Sequence, residues 1–503
     1  MIAIIPEPIE LVIKNGSFKL NQETSIYTDK EINTLSNFLR EIFTSSTGFK
    51  FKDMDQQKNN QIQLKLTKSN SDLSDEGYIL HITKERIEII AKKPEGIFYG
   101  IQTLRQLLPP EIENQKIIKN TEWIIPCVEI KDYPRYNWRG FMLDEARHFM
   151  GKVIVKKILD LMALHKLNKF HWHLVDDQGW RIEIKKYPKL VEIGSKRKIN
   201  TKRGEISNLE NQDYIGGYYK QEEIKEIINY AKERFIEVIP EIEMPGHCSA
   251  SLAAYSELSC TGGPFEVPTR WGIFFDVYCP GKENVYKFLE DVLVEVMVLF
   301  PTNIIHIGGD EVPKKRWKSC PYCQQKMKEL GLEKEEELQI YLTNYFVKFL
   351  ESHGKRLMGW NQILDPTLSK EAICQFWLGN RKKVTEHIQK GGEVVATNYL
   401  QTYLDHPYQL ISLKKAYKFE PKFPKVESGF KSKLLGIEAP LWTERVPNLK
   451  RLEWQTFPRL TAYAETAWTP KKKKDYEKFK VKLSEFIKRL EFLEVNVAIE
   501  KIN

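Results

Sequence analysis

From Trp138 onward the chain repeats one unit, a short apolar run that ends in polar residues and is followed by an amphipathic helix. The runs are Arg139 to Asp144, Lys169 to Leu174, Phe235 to Glu241, Asn303 to Gly308, Arg356 to Trp360, Ala372 to Trp377, Glu393 to Thr397 and Leu434 to Ala439. Their length and apolar character are those of buried strands, and segments such as Val153 to Leu167 and Asn284 to Leu299 have helical spacing. Strands alternating with helices build a parallel sheet, and eight such units close into a (β/α)8 barrel. In that fold the loops at the C-terminal ends of the strands carry the chemistry, which is where the polar residues of these runs fall.

The residues before the barrel read differently. Ile62 to Leu66, Tyr78 to Ile82 and Arg86 to Ile90 alternate as strands, while Asn33 to Phe43 and Gly96 to Leu108 have helical spacing, the second stopping at Pro109-Pro110. No polar cluster converges there. The expected organisation is a non-catalytic α+β domain over 1–132, the α/β barrel over 133–470 and a C-terminal helix over 471–503 that packs on the barrel, with Lys471 to Lys474 as its solvated start. The balance of 77 Lys and Arg against 68 Asp and Glu is too even to announce a nucleic-acid partner. No apolar stretch reaches the ~18 residues of a membrane helix. Met1-Ile-Ala-Ile-Ile-Pro has no signal-peptide pattern, and the compartment stays open, because 7 cysteines are too few for a disulfide scaffold.

The fourth run leads into His306-Ile-Gly-Gly-Asp-Glu. Two adjacent carboxylates leaving a barrel strand suit acid catalysis, since a neighbour's charge raises the pKa of one of them. The other strand ends supply Asp144 and Arg147, Asp176 and Asp177, Glu241, Glu243 and His247, Trp360, Trp377, Tyr403 and Asp405, and Trp442 and Glu444. Tryptophan at three strand ends is poor barrel filler but a good wall for the C–H face of a sugar, whose hydroxyls need carboxylate and arginine partners.

In order along the chain, the motifs are Pro134-Arg-Tyr-Asn-Trp-Arg-Gly-Phe-Met-Leu-Asp-Glu-Ala-Arg-His-Phe, Phe170-His-Trp-His-Leu-Val-Asp-Asp-Gln-Gly-Trp-Arg, Glu241-Ile-Glu-Met-Pro-Gly-His, His306-Ile-Gly-Gly-Asp-Glu, Gly359-Trp-Asn, Tyr403-Leu-Asp and Gly436-Ile-Glu-Ala-Pro-Leu-Trp-Thr-Glu. This series resembles glycoside hydrolase family 20, the β-N-acetylhexosaminidases. The resemblance implies exo-acting, retaining hydrolysis of terminal β-linked N-acetylhexosamine, with the substrate's own 2-acetamido oxygen as nucleophile and an oxazolinium intermediate, an exception to the scheme of two enzyme carboxylates. It implies Glu311 as acid and base, Asp310 as the residue orienting the acetamido group, and Tyr403 as donor to its oxygen. It further implies Trp360, Trp377 and Trp442 as the enclosing walls, Arg147, Asp405 and Glu444 as hydroxyl clamps, and His247 with Asp176 as a relay to Glu311. Asp177 is the alternative to Asp176. No cofactor or metal is implied. The partner would be an oligosaccharide or glycoconjugate, acted on by a monomer or homodimer. Two departures stand out: Glu243 where the family commonly has Asp, and Asn361-Gln362 where it commonly has acidic residues.

Competing readings are a catalytically silent sugar-binding barrel and a disaccharide-releasing enzyme, the latter because the insert from Val191 to Gly217 is long enough to reshape the mouth. His171, His173, Asp176 and His247 could be drawn as metal ligands, but inward-facing, hydrogen-bonded barrel residues are the expected reading. Cys320-Pro-Tyr-Cys323 has zinc or redox spacing, but with no second cysteine pair or histidine partner nearby it reads as a local loop feature or a strained or reducible disulfide, and Cys260 and Cys279 are candidates for a bridge across the loop 261–278.

Overall fold

The computed structural model describes residues 2–53, 59–68, 73–200, 205 and 213–502. All eight anticipated runs form strands, named here β1 (Trp138–Asp144), β2 (Lys169–His173), β3 (Glu237–Glu241), β4 (Ile304–His306), β5 (Arg356–Trp360), β6 (Ile373–Phe376), β7 (Glu393–Ala396) and β8 (Leu434–Leu441). They pair in parallel and close, with β8 beside β1 through Gly436 opposite Trp138 to Leu441 opposite Leu143. Inside the barrel, Trp138, Ile239, Ile304, Met358, Ile373 and Val395 form an apolar plug near the N-terminal ends of the strands. A buried polar layer sits above it. His171 Nδ1 lies 2.8 Å from Glu438 and His306 Nδ1 2.7 Å from Glu241, while Gln375 donates to Glu438 at 2.7 Å.

Before the barrel lies a seven-stranded sheet in the order 10–19, 124–132, 78–82, 86–91, 61–66, 25–28 and 52–53, with helices Asn33–Thr47 and Pro94–Leu107. Only three of these strands stand out in the sequence. Glu10–Lys19 escapes notice because nearly all of it is exposed, so no face carries an apolar alternation, and Ile124–Asp132 is interrupted by Pro126. The Pro94 helix starts with proline in its first turn and ends where Leu108 turns extended before Pro109.

The sheet and barrel meet over a buried polar seam. Lys166 Nζ lies 3.0 Å from Asp132, and Arg139 donates to both Glu76 oxygens at 2.6 and 2.9 Å. The last helix, Tyr476–Phe492, starts on Asp475, whose carboxylate accepts from the amides of Glu477 and Lys478. It lies against both units. Phe486 meets His165 of the barrel edge to face at 5.0 Å, while Arg489 donates to Gln106 O at 2.6 Å in the preceding domain. Among the described residues no helix is long and apolar enough to cross a membrane.

Candidate active site

β4 ends at His306 and the chain turns through Gly308 and Gly309, both at positive φ. Gly308 admits no side chain, because a Cβ there would fall 1.6 Å from Glu243 Oε2. The turn delivers Asp310 and Glu311 to the mouth, and Glu311 itself has φ 48. His247, which follows β3, has φ 47 and faces the pair, its Nε2 3.6 Å from Glu311 and 3.9 Å from Asp310. Left-handed backbone at two non-glycine residues that face each other is strain held in place by the surrounding fold.

Behind His247 the relay differs from expectation. Its Nδ1 is 3.0 Å from Asp177 and 3.3 Å from Asp176, so the nearer carboxylate belongs to the residue placed second in the sequence reading. Asp177 is steadied by the amide and hydroxyl of Ser249, at 3.0 and 2.5 Å. Asp176 is drawn elsewhere, with Arg147 at 2.7 Å and His173 at 2.9 Å. Arg147 also donates to Gln178 at 2.8 Å and lies 5.0 Å over the Trp442 ring.

These groups border a cavity of about 190 Å³ lined by Arg147, Asp176, His247, Asp310, Glu311, Trp377, Tyr399, Tyr403, Asp405, Trp442 and Glu444. Ten of these eleven were marked by the sequence reading. Tyr399 was missed, although it stands four residues before Tyr403 on one helical turn, a spacing that puts both rings on one face; they lie 5.0 Å apart. Trp360 is the converse case. It is fully buried beneath the cavity, 6.0 Å from Trp442, with its indole N–H donating to Glu241 at 2.9 Å, and so forms a floor rather than a wall. The departure at Asn361-Gln362 bears directly on a wall: Trp377 donates its indole N–H to Gln362 at 2.8 Å and its amide to Asn361 at 2.9 Å. On the outer side of Glu311 a second, open cavity of about 530 Å³ is lined by Ile273, Phe275, Val312, Pro313 and Gln362 among others.

Burial pushes the Asp310 carboxyl up to about 7, against the pull of His247 and with help from Glu241 and Glu311. Burial likewise brings Asp405 to about 7, reinforced by Glu444. Glu243 is driven well above the usual range by burial and by the charges of Asp310 and Glu241, so it holds its proton. His247 is held well above an ordinary histidine by Asp176 and Asp177, despite burial. Asp310 Oδ1, Asp405 Oδ1 and Glu243 Oε2 are buried without a hydrogen-bond partner among the described residues.

His171 and His173 are hydrogen-bonded barrel residues. Despite burial, Glu438 and Glu241 hold His171 up at about 9, and Glu241 and Asp176 hold His173 at about 10, so both are charged. The cysteine reading needs correction. The Cys260–Cys279 bridge is not formed, all cysteines are free, and Cys320-Pro-Tyr-Cys323 is not isolated, because the fold brings Cys260 and Cys279 to it. Within the insert from Val191 to Gly217, Lys196–Lys198 pairs with Tyr214–Gly216, and 201–204 and 206–212 lie outside the described residues.

Residues 136–471 match the sequence model of glycosyl hydrolase family 20, catalytic domain, and residues 1–133 that of domain 2 of the same family. A β-hexosaminidase of Porphyromonas gingivalis is 39% identical over 99% of this chain, which spans 64% of that relative's length. Among solved structures, the exo β-N-acetylglucosaminidase of Vibrio harveyi in complex with N-acetylglucosamine superposes with a TM-score of 0.87 at 31% identity, covering 99% of this chain and 78% of that one. The β-N-acetylhexosaminidase of Streptomyces coelicolor A3(2) gives 0.86 at 29%, covering 99% and 97%. Since the two family models together account for nearly the whole chain, sheet domain and barrel alike, it belongs to glycosyl hydrolase family 20.

Proposed function

We propose that the chain is an exo-acting, retaining β-N-acetylhexosaminidase that removes terminal non-reducing β-linked GlcNAc or GalNAc by substrate-assisted catalysis. The observation that carries this is the small cavity in which the acid pair, an aromatic wall and three buried or partly buried hydroxyl partners converge. Its size suits one sugar ring, which favours exo action over binding along a polymer.

In this reading the terminal sugar stacks on Trp442, with Arg147, Asp405 and Glu444 taking its hydroxyls. Trp377 and Tyr403 enclose the acetamido group over the Trp360 floor. Tyr403 donates to the acetamido oxygen and turns it toward C1, while the open Oδ1 of Asp310 accepts the acetamido N–H. Glu311 protonates the glycosidic oxygen as the acetamido oxygen bonds to C1, giving the oxazolinium ion. It then takes a proton from the water that opens this ion, with net retention. As positive charge develops on the acetamido nitrogen, the adjacent Asp310 is favoured in its ionised form and stabilises the transition state. His247, anchored by Asp177 and Asp176, orients Glu311. The leaving group departs along the apolar surface of Ile273, Phe275, Val312 and Pro313.

The unreactive, sugar-binding alternative finds no use for a carboxylic acid poised beside the bond. The test is product analysis with terminal β-linked GlcNAc and GalNAc oligosaccharides. Monosaccharide released first as the β-anomer is expected. Disaccharide release would instead support a deeper site, and binding without hydrolysis a silent one; either would overturn the proposal.

A further inference from the structure

Four cysteines from two distant stretches of chain meet beside the mouth. Cys260 and Cys279 flank the loop 261–278 that follows β3, while Cys320 and Cys323 open the helix Pro321–Leu330 that follows β4. Their sulfurs lie 3.8 Å apart for Cys260 and Cys323, 3.6 Å for Cys279 and Cys320, and 3.4 Å for Cys279 and Cys323, with all four within 4.8 Å of one another. These separations are far beyond the ~2.05 Å of a disulfide. They approach the ~3.8 Å edge of a tetrahedron whose centre is ~2.3 Å from each sulfur, the bond length of zinc to thiolate.

The surroundings fit a closed cation site. Cys279, Cys320 and Cys323 are buried and Cys260 is partly buried. The backbones converge so tightly that a Cβ on Gly281 would come within 2.2 Å of the Tyr322 carbonyl carbon. Lys282 fixes the Cys260 turn by donating to Ser259 O at 2.6 Å and Glu257 O at 3.0 Å. Cys320 occupies the N-cap position of the ten-residue helix, so the helix start sets the spacing of the Cys320 and Cys323 side chains.

We propose that Cys260, Cys279, Cys320 and Cys323 bind one zinc ion. Four thiolates leave no coordination position for substrate or water, so the ion is structural. It ties the loop carrying Ile273 and Phe275 to the segment that starts at Asp310-Glu311, and thereby holds the leaving-group surface against the acid.

The test is elemental analysis of the whole protein purified without chelator or added metal, with a mercurial titration of its thiols. One zinc per chain is expected, released in step with modification of the four thiols. Cys320→Ser/Cys323→Ser should lose it, whereas Asp310→Asn should retain it, which separates this site from the catalytic carboxylates. If the double variant does not fold, the stoichiometry and thiol-linked release in the wild-type protein decide the matter alone. Zinc below a tenth of an equivalent, stoichiometric iron in its place, or a thiol count showing the four joined as disulfides would each overturn the proposal.

Discussion

Lys166 and Asp310 are both buried ionisable residues of the same barrel, at its opposite ends, and they differ in how completely their neighbours satisfy them. At the seam with the sheet domain, Asp132 accepts from Tyr78 at 2.6 Å, Trp468 at 2.9 Å, Lys166 at 3.0 Å and the amides of Ile9 and Tyr133. Arg139 and Lys166 also lie over the Trp468 ring, and none of these polar atoms is without a partner. At the mouth, Asp310 and Asp405 each keep a buried oxygen without a hydrogen-bond partner among the described residues. Both clusters are costly to desolvate. One offsets the cost within the chain by fixing two domains together, whereas the other keeps oxygens without a partner among the described residues. The comparison locates binding chemistry more sharply than charge content, since buried charge occurs at both ends.

Glu311→Gln should give the largest effect and separate the ends most clearly. Loss of the acid should lower kcat/KM by about 10²–10⁴ for substrates with poor leaving groups while leaving the unfolding midpoint nearly unchanged, because the side chain is 35% exposed. A wild-type rate would remove Glu311 from the chemistry. Lys166→Met should do the reverse, costing about 3–5 kcal/mol in urea unfolding by stranding Asp132, with activity per folded molecule preserved. A loss below about 1 kcal/mol would mean the seam is not a unit.

Asp310→Asn should lower activity and yet stabilise the fold in a pH-dependent way. The native state holds the Asp310 proton up to about 7, above the ordinary value of 3.8. That contribution to stability is complete below pH 3.8 and is lost as pH rises through 7. The variant has no carboxylate to ionise, so its advantage over wild type should grow from pH 4 to pH 8, reaching about 4 kcal/mol at ~1.4 kcal/mol per unit of the rise from 3.8 to about 7. An advantage independent of pH would contradict the frustrated-carboxylate reading. Gln362→Ala should give the smallest change, about 1 kcal/mol, seen as a rise in KM of about fivefold as Trp377 loses the partner of its indole.

The barrel was legible because its strands are short, buried on both sides and end in polar residues, so each announced its own C-terminal end. Much of the site followed from those ends. What escaped was set by contacts across the sequence or by burial depth. Asp176 and Asp177 are adjacent and both reach His247, so no periodicity could rank them. Trp360 ends a strand as Trp377 does, but only the packed structure shows it capped by Trp442. Cys260 and Cys323 are 63 residues apart and meet because two barrel loops fold against each other. Glu10–Lys19 lacked an apolar face to mark it.

The most direct measurement compares initial rates on p-nitrophenyl N-acetyl-β-D-glucosaminide and p-nitrophenyl β-D-glucoside, which differ only in the 2-acetamido group. If the substrate supplies its own nucleophile to the Asp310-Glu311 pair, only the N-acetylated compound should turn over, with kcat/KM at least about 10³ greater. Comparable rates on the two substrates would contradict it.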